Sequence, residues 1–149
     1  MIKRVVLGVL AIAFIVWAYW FFIGPAFTTQ RVEEAMPDRM DVLKTGTFTV
    51  IDGVHKGSGT AKVVFSGGKY YVVLEDFKVT NGPDLYLYLS EGRDVMDEDE
   101  LGAFRVVSRL KGNEGNQVYE ITKEDAESFS SVVIWCKRFG VLFSSATLS

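Results

Sequence analysis

"FSGGKYY", residues 65 to 71, is the stretch that decides the fold. Gly67 and Gly68 sit between two β-branched and aromatic runs, and paired glycines supply the positive φ angles that a two-residue hairpin turn needs. The flanks, 59–66 and 69–79, are therefore predicted as antiparallel strands. Downstream, residues 84–90 alternate: Leu85, Leu87 and Leu89 fall on one face, Tyr86 and Tyr88 on the other, so the leucines should face the core. Similar short runs at 46–51, 85–89, 104–110, 117–121, 131–137 and 141–148 are separated by glycine, asparagine and aspartate, the usual punctuation between strands. No convincing amphipathic helix interrupts them. The pattern predicts an all-β domain over 45–149, a small antiparallel β-sandwich or barrel of about eight strands. Those 105 residues suffice for one hydrophobic core.

Upstream the chain changes character. Met1 is followed closely by Lys3 and Arg4, and residues 5–24 carry no charged side chain. Twenty helical residues at about 1.5 Å each reach roughly 30 Å, the thickness of a bilayer's hydrocarbon core. Trp17, Tyr19 and Trp20 lie toward the far end, where amphipathic rings favour the headgroup layer. Residues 1–25 are expected to be one N-terminal transmembrane helix ending near Pro25, with the N-terminus cytoplasmic and the domain extracytoplasmic by the positive-inside bias. A cleaved signal peptide with a processing site at Gly24-Pro25-Ala26 ranks second, because the apolar run is too long for a signal core and proline disfavours cleavage. Residues 26–44 read as a polar stalk, with a short helix allowed at 32–36.

Composition excludes some functions. Removing Lys3 and Arg4 leaves 14 basic against 19 acidic residues, a formal charge of −5 outside the helix, which argues against a nucleic-acid surface. A single cysteine, Cys136, makes no internal disulfide. The acidic run 94–100 lacks the spacing of a calcium-binding loop and reads as a loop or one helical turn. Ser130, Ser131, Ser144 and Ser145 form no hydrolase signature.

The candidate chemistry rests on few side chains. Cys136, in "SVVIWCKRFGVLF", residues 131 to 143, precedes Lys137 and Arg138; neighbouring positive charge favours a thiolate, whereas cysteine is also commonly a small core residue. His55 lies in the glycine-rich turn "DGVHKGSG". With one histidine and one cysteine, neither a blue-copper centre nor a structural zinc site is expected. A non-covalent haem held by His55 or Cys136 is allowed, though no spacing demands it. "NGPDLYLYLS", residues 81 to 90, opens with a turn, and Asp84, Tyr86 and Tyr88 form a candidate surface for a ligand or partner.

Four stretches together, "GTFTVIDGVHKGSGTAKVVF", "LEDFKVTNGPDLYLYLS", "LKGNEGNQVYEI" and "SVVIWCKRFGVLFSSATL", resemble the DM-thirteen domain family, also called the electron-transfer DM domain, over roughly residues 45 to 148. The resemblance is to its bacterial or archaeal single-domain, membrane-anchored type. It implies an extracytoplasmic β-rich domain of the kind found beside DOMON and b-type cytochrome domains in proposed electron-transfer chains. It places the family's cysteine on Cys136, as a thiol or a ligand to a cofactor such as haem, the histidine of its "HKGSG" motif on His55, and its "NGPDL" turn on Asn81 to Asp84. The expected function is therefore a membrane-anchored redox module with a redox protein as partner. The alternative is a cell-surface binding or adhesion module using Asp84, Tyr86 and Tyr88, with Cys136 as core. A weaker third reading is a structural role in a membrane complex.

Overall fold

The computed structural model describes residues 2–22 and 28–149. Ile2–Phe22 form helix α1. Its described side chains, 6 to 21, are apolar and exposed except for half-buried Ala18. Among the described residues no helix is long and apolar enough to cross a membrane. A helix end at Pro25 and a processing site at Gly24-Pro25-Ala26 lie outside the described residues.

Eight strands follow: β1 (Asp41–Thr47), β2 (Gly57–Ser66), β3 (Lys69–Val79), β4 (Leu85–Ser90), β5 (Phe104–Arg109), β6 (Glu114–Ile121), β7 (Ser131–Cys136) and β8 (Val141–Thr147), with helix α2 (Lys123–Ser128) between β6 and β7. They build two four-stranded antiparallel sheets, ordered β1-β2-β3-β6 and β5-β4-β7-β8. The "FSGGKYY" hairpin forms as expected: Gly67 and Gly68 take φ of 56° and 83°, and Ser66 pairs with Lys69. Facing sheets make a sandwich, and one side of it is stitched. Thr45 and Ser149 exchange two backbone hydrogen bonds of 2.9 Å, and the Thr49 N–H donates to the Ser145 carbonyl at 2.9 Å.

Alternation explains the core between the sheets. Ala61, Val63, Val72 and Leu74 of the first sheet meet Leu85, Leu87, Leu89, Val132, Ile134 and Cys136 of the second. A second, smaller cluster covers the opposite face of β4 and β7. There Tyr88, Val133, Trp135 and Leu142 pack with Val95 and Leu101 from the long connection between β4 and β5. Buried serine hydroxyls fasten this cover: Ser145 donates to the Val95 carbonyl at 2.6 Å, Ser90 to Leu101 at 2.5 Å and Ser131 to Gly92 at 2.6 Å. Short hydroxyl donors satisfy loop carbonyls that burial would otherwise leave unpaired. The acidic run 94–100 ends in a 3-10 turn at Glu98–Glu100.

Three local expectations change. The first strand starts at Asp41, inside the stretch read as stalk, and is offset from 46–51. No helix forms at 32–36; instead the Val32 and Glu34 N–H groups donate to the Glu114 and Asn116 carbonyls at 2.9 Å, laying this polar segment along β6. Backbone pairing of this kind leaves no side-chain periodicity to read. Helix α2 was not expected either. Its N-terminus is held by a capping box in which Asp125 N–H donates to Thr122 Oγ1 at 3.1 Å and Thr122 N–H to Asp125 Oδ2 at 2.9 Å, and buried Asp125 also pairs with Arg105 at 3.0 Å. Six residues are too few to show a helical period, so the cap was the only signal.

Candidate functional site

Cys136 is the last residue of β7, with no exposed surface. The strand is buried on both sides of the sheet, and Cys136 falls on the side that faces the inter-sheet core. Its cross-strand neighbours are Leu85 on β4 and Val141 on β8. The backbone immediately after it turns sharply: the Lys137 N–H donates to the Asp84 carbonyl at 3.0 Å, the Gly140 N–H donates to the Cys136 carbonyl at 2.9 Å, and Gly140 adopts φ of 63°.

The adjacent cations do not turn toward the core. Lys137 Nζ lies 5.2 Å from the centre of the Tyr86 ring. The Arg138 guanidinium lies 5.4 Å from the centre of the Phe21 ring, and its Nη1 donates to the Phe21 carbonyl at 3.4 Å. Strand alternation sends residue 137 to the opposite side of the sheet from residue 136, which removes the expected support for a thiolate from this pair.

His55 is built into a tight turn. Asp52 Oδ1 accepts the Val54 and His55 N–H groups at 2.7 and 2.6 Å, and Oδ2 lies 2.7 Å from His55 Nδ1. These bonds, led by the His55 backbone N–H, lower the Asp52 pKa to about 2. An ionised carboxylate is only an acceptor, so Nδ1 is the nitrogen that carries a proton. The ring also meets Phe143 edge-on, with centroids 4.6 Å apart.

Phe143 links these pieces. A Cβ added at Gly82 would lie 2.7 Å from Leu85 Cδ2 and 2.9 Å from Phe143 Cζ, so the "NGPDL" turn packs without a side chain against the ring that touches His55. The fold thus brings the "HKGSG" turn, the "NGPDL" turn and the tryptophan-cysteine strand to one end of the sandwich. Leu85 and Phe143 share the apolar cluster with Cys136.

The expected Asp84, Tyr86 and Tyr88 surface is divided. Tyr88 is 5% exposed, stacked on Phe104 at 5.3 Å and near Trp135 at 6.2 Å, because the β4–β5 connection covers that face. Burial raises its pKa. Tyr86 is half-buried beneath Lys137, and Asp84 is half-buried with Arg109 Nη2 3.7 Å away. The alternation in residues 84–90 was legible, but the loop that covers its tyrosine side was not.

A cleft of about 760 Å³ opens beside the same end, lined by Gly82, Pro83, Leu85, Arg109, Lys111 and Trp20 among others. Its volume falls in the range of small-molecule sites. Lys111 is already engaged, donating to both Glu34 carboxylate oxygens at 2.9 and 2.8 Å and to the Val118 carbonyl at 2.6 Å. Burial alone would raise the Glu34 pKa, but the Lys111 bonds and the Val118 N–H, which donates to Glu34 Oε2 at 2.8 Å, outweigh it and leave the pKa lowered.

These positions do not fit a haem or a metal ion. Neither His55 nor Cys136 lines the cleft, and the sulfur is enclosed by apolar side chains. Among the described residues no group of three or more histidine, cysteine, aspartate or glutamate side chains is placed to hold a metal. What remains chemically is an enclosed thiol that faces Leu85 across the strand pair. That side chain belongs both to the wall of the cleft and to the cysteine's cluster.

The family model described as electron transfer DM13 matches residues 47–148. Comparison with curated proteins and with solved structures gives no match.

Proposed function

Because the chain belongs to the electron transfer DM13 family, we propose that it is an electron-transfer domain held outside the membrane by α1, with the Cys136 thiol as its redox-active group. The observation that carries the cysteine assignment is convergence. Sequence-distant motifs build one wall beside it: Leu85 pairs across from Cys136, the Asp84 carbonyl takes the Lys137 N–H, and Gly82 and His55 both pack on Phe143. A thiol enclosed in this way is protected from indiscriminate oxidation, and its exchange with a partner requires that wall to open.

The anchor reading rests on the uncharged run 5–24 and on the described α1 side chains, 6 to 21, which present apolar and aromatic groups all round, with Leu7, Leu10, Phe14 and Trp20 each more than 60% exposed. A helix apolar on every face needs lipid or protein around it. Lys3 and Arg4 support a cytoplasmic N-terminus by the positive-inside bias.

The experiment is voltammetry of the full chain in nanodiscs, beside Cys136→Ser and Cys136→Ala, with alkaline extraction of the membranes to test anchoring. A redox wave lost in both variants, with their circular dichroism unchanged, is the expected result. A wave that persists in Cys136→Ala removes the cysteine from the role. Release of the chain by alkali removes the anchor.

A further inference from the structure

We propose that the tip of the β7–β8 hairpin, Lys137-Arg138-Phe139, is a docking surface for an anionic lipid headgroup layer. It seats the sandwich on the membrane beside its own helix. The inference rests on the reading of α1 as a membrane anchor.

Three independent features meet at this tip. Charge is the first: the chain outside the helix carries −5, yet two consecutive cations project from one turn. Both cations are exposed, Lys137 lying over the Tyr86 ring and Arg138 against Phe21. The second is Phe139, 61% exposed at the apex of the turn. A large ring at a hairpin apex, flanked by long cationic side chains, suits an interface where the ring enters the acyl boundary and the cations remain with phosphates. The third is position. Arg138 lies on Phe21, near the end of α1 that carries Trp17 and Trp20, so the tip stands at the level where the helix would leave the bilayer.

The topology adds rigidity. β4 begins, β5 ends, β7 ends and β8 begins at this end of the second sheet. The Gly140 N–H closes the turn on the Cys136 carbonyl at 2.9 Å, and φ of 63° at Gly140 reverses the chain immediately after Phe139. The three side chains are thus carried by a closed turn, which lowers the ordering cost of docking. Docked in this way, the tip would set Cys136, one residue behind it, close to the lipid surface and within reach of a membrane-borne partner. This gives the basic pair beside the cysteine a role that does not involve the sulfur.

The test is hydrogen exchange of the full chain in nanodiscs of phosphatidylcholine alone and with phosphatidylglycerol added, following the peptide that spans 137–141. Slower exchange in the anionic discs, reversed by high salt, is expected. Lys137→Gln with Arg138→Gln should lower the docked-to-free ratio by roughly tenfold or more, since each cation near an anionic surface contributes on the order of a fivefold preference. Phe139→Ser should weaken protection while leaving its salt dependence. Equal exchange in the two discs overturns the proposal, as does protection that survives the double substitution. Protection induced by soluble polyglutamate and not by anionic lipid would reassign the tip to an acidic protein. A chain that fails to stay with the disc defeats the anchor reading itself, whereas a retained chain with an unprotected tip defeats only the docking.

Discussion

Replacing Leu85 by alanine tests whether the wall beside Cys136 is the gate to its thiol. Leu85 is 5% exposed, stands opposite Cys136 across the strand pair and lines the cleft. A buried leucine-to-alanine change costs roughly 2–5 kcal/mol; at about 3 kcal/mol, global unfolding becomes roughly a hundredfold more frequent, since about 1.4 kcal/mol is tenfold. Leu74, fully buried on β3 in the other sheet, supplies a control of the same chemistry far from the cleft. If reagents reached the sulfur only through global unfolding, both variants would label in proportion to their lost stability. The gate argument instead predicts that Leu85→Ala labels Cys136 at least another tenfold faster than Leu74→Ala at matched stability, because a cavity would join the cleft to the thiol. The assay is the rate of labelling by a small maleimide in native buffer, normalised by denaturant-derived stability. Equal normalised rates would refute the reasoning.

Other outcomes follow from single contacts. Tyr119 is buried, its O–H donates to Gln117 Oε1 at 2.6 Å and its oxygen accepts the Lys111 N–H at 3.0 Å; Tyr119→Phe strands both partners and should cost about 1–3 kcal/mol in urea unfolding, while a loss near zero would contradict the network. Asp52 titrates at about 2 in the fold against an ordinary value of 3.8, so its contribution is present above the ordinary value and lost as pH falls through about 2. The stability gap between wild type and Asp52→Asn should therefore shrink between pH 4 and 2 in thermal melts, and a constant gap would show that this turn does not act through charge. Gly115 holds φ of 98°, and a Cβ there would collide with the Val32 carbonyl. Gly115→Ala should lower the melting temperature and speed amide exchange at Val32 and Glu34, and unchanged exchange there would separate the 28–34 segment from the domain.

Much of this architecture is written in local pattern. Alternation in residues 84–90 and the double glycine at 67–68 need only neighbouring side chains to be read, because the pleat and the turn are local geometry. The 28–34 segment escaped because its pairing to β6 uses backbone groups, which every residue carries. Tyr86 and Tyr88 were legible as one strand face, but the burial of Tyr88 and Trp135 was not, since Val95 and Leu101 fold over them from the β4–β5 connection. Helix α2 had a capping box and too little length to show more.

By itself the sequence determined a strand-rich antiparallel domain, sandwich or barrel, the apolar helix ahead of it and a chain with one cysteine, since these follow from short-range periodicity and composition. Only the tertiary structure decided that the cysteine is enclosed, that its basic neighbours face Tyr86 and Phe21, and that His55, the "NGPDL" turn and β7 share one end of the sandwich. Those facts depend on which strands become neighbours across the sheets, and long-range packing leaves no mark in the order of nearby residues.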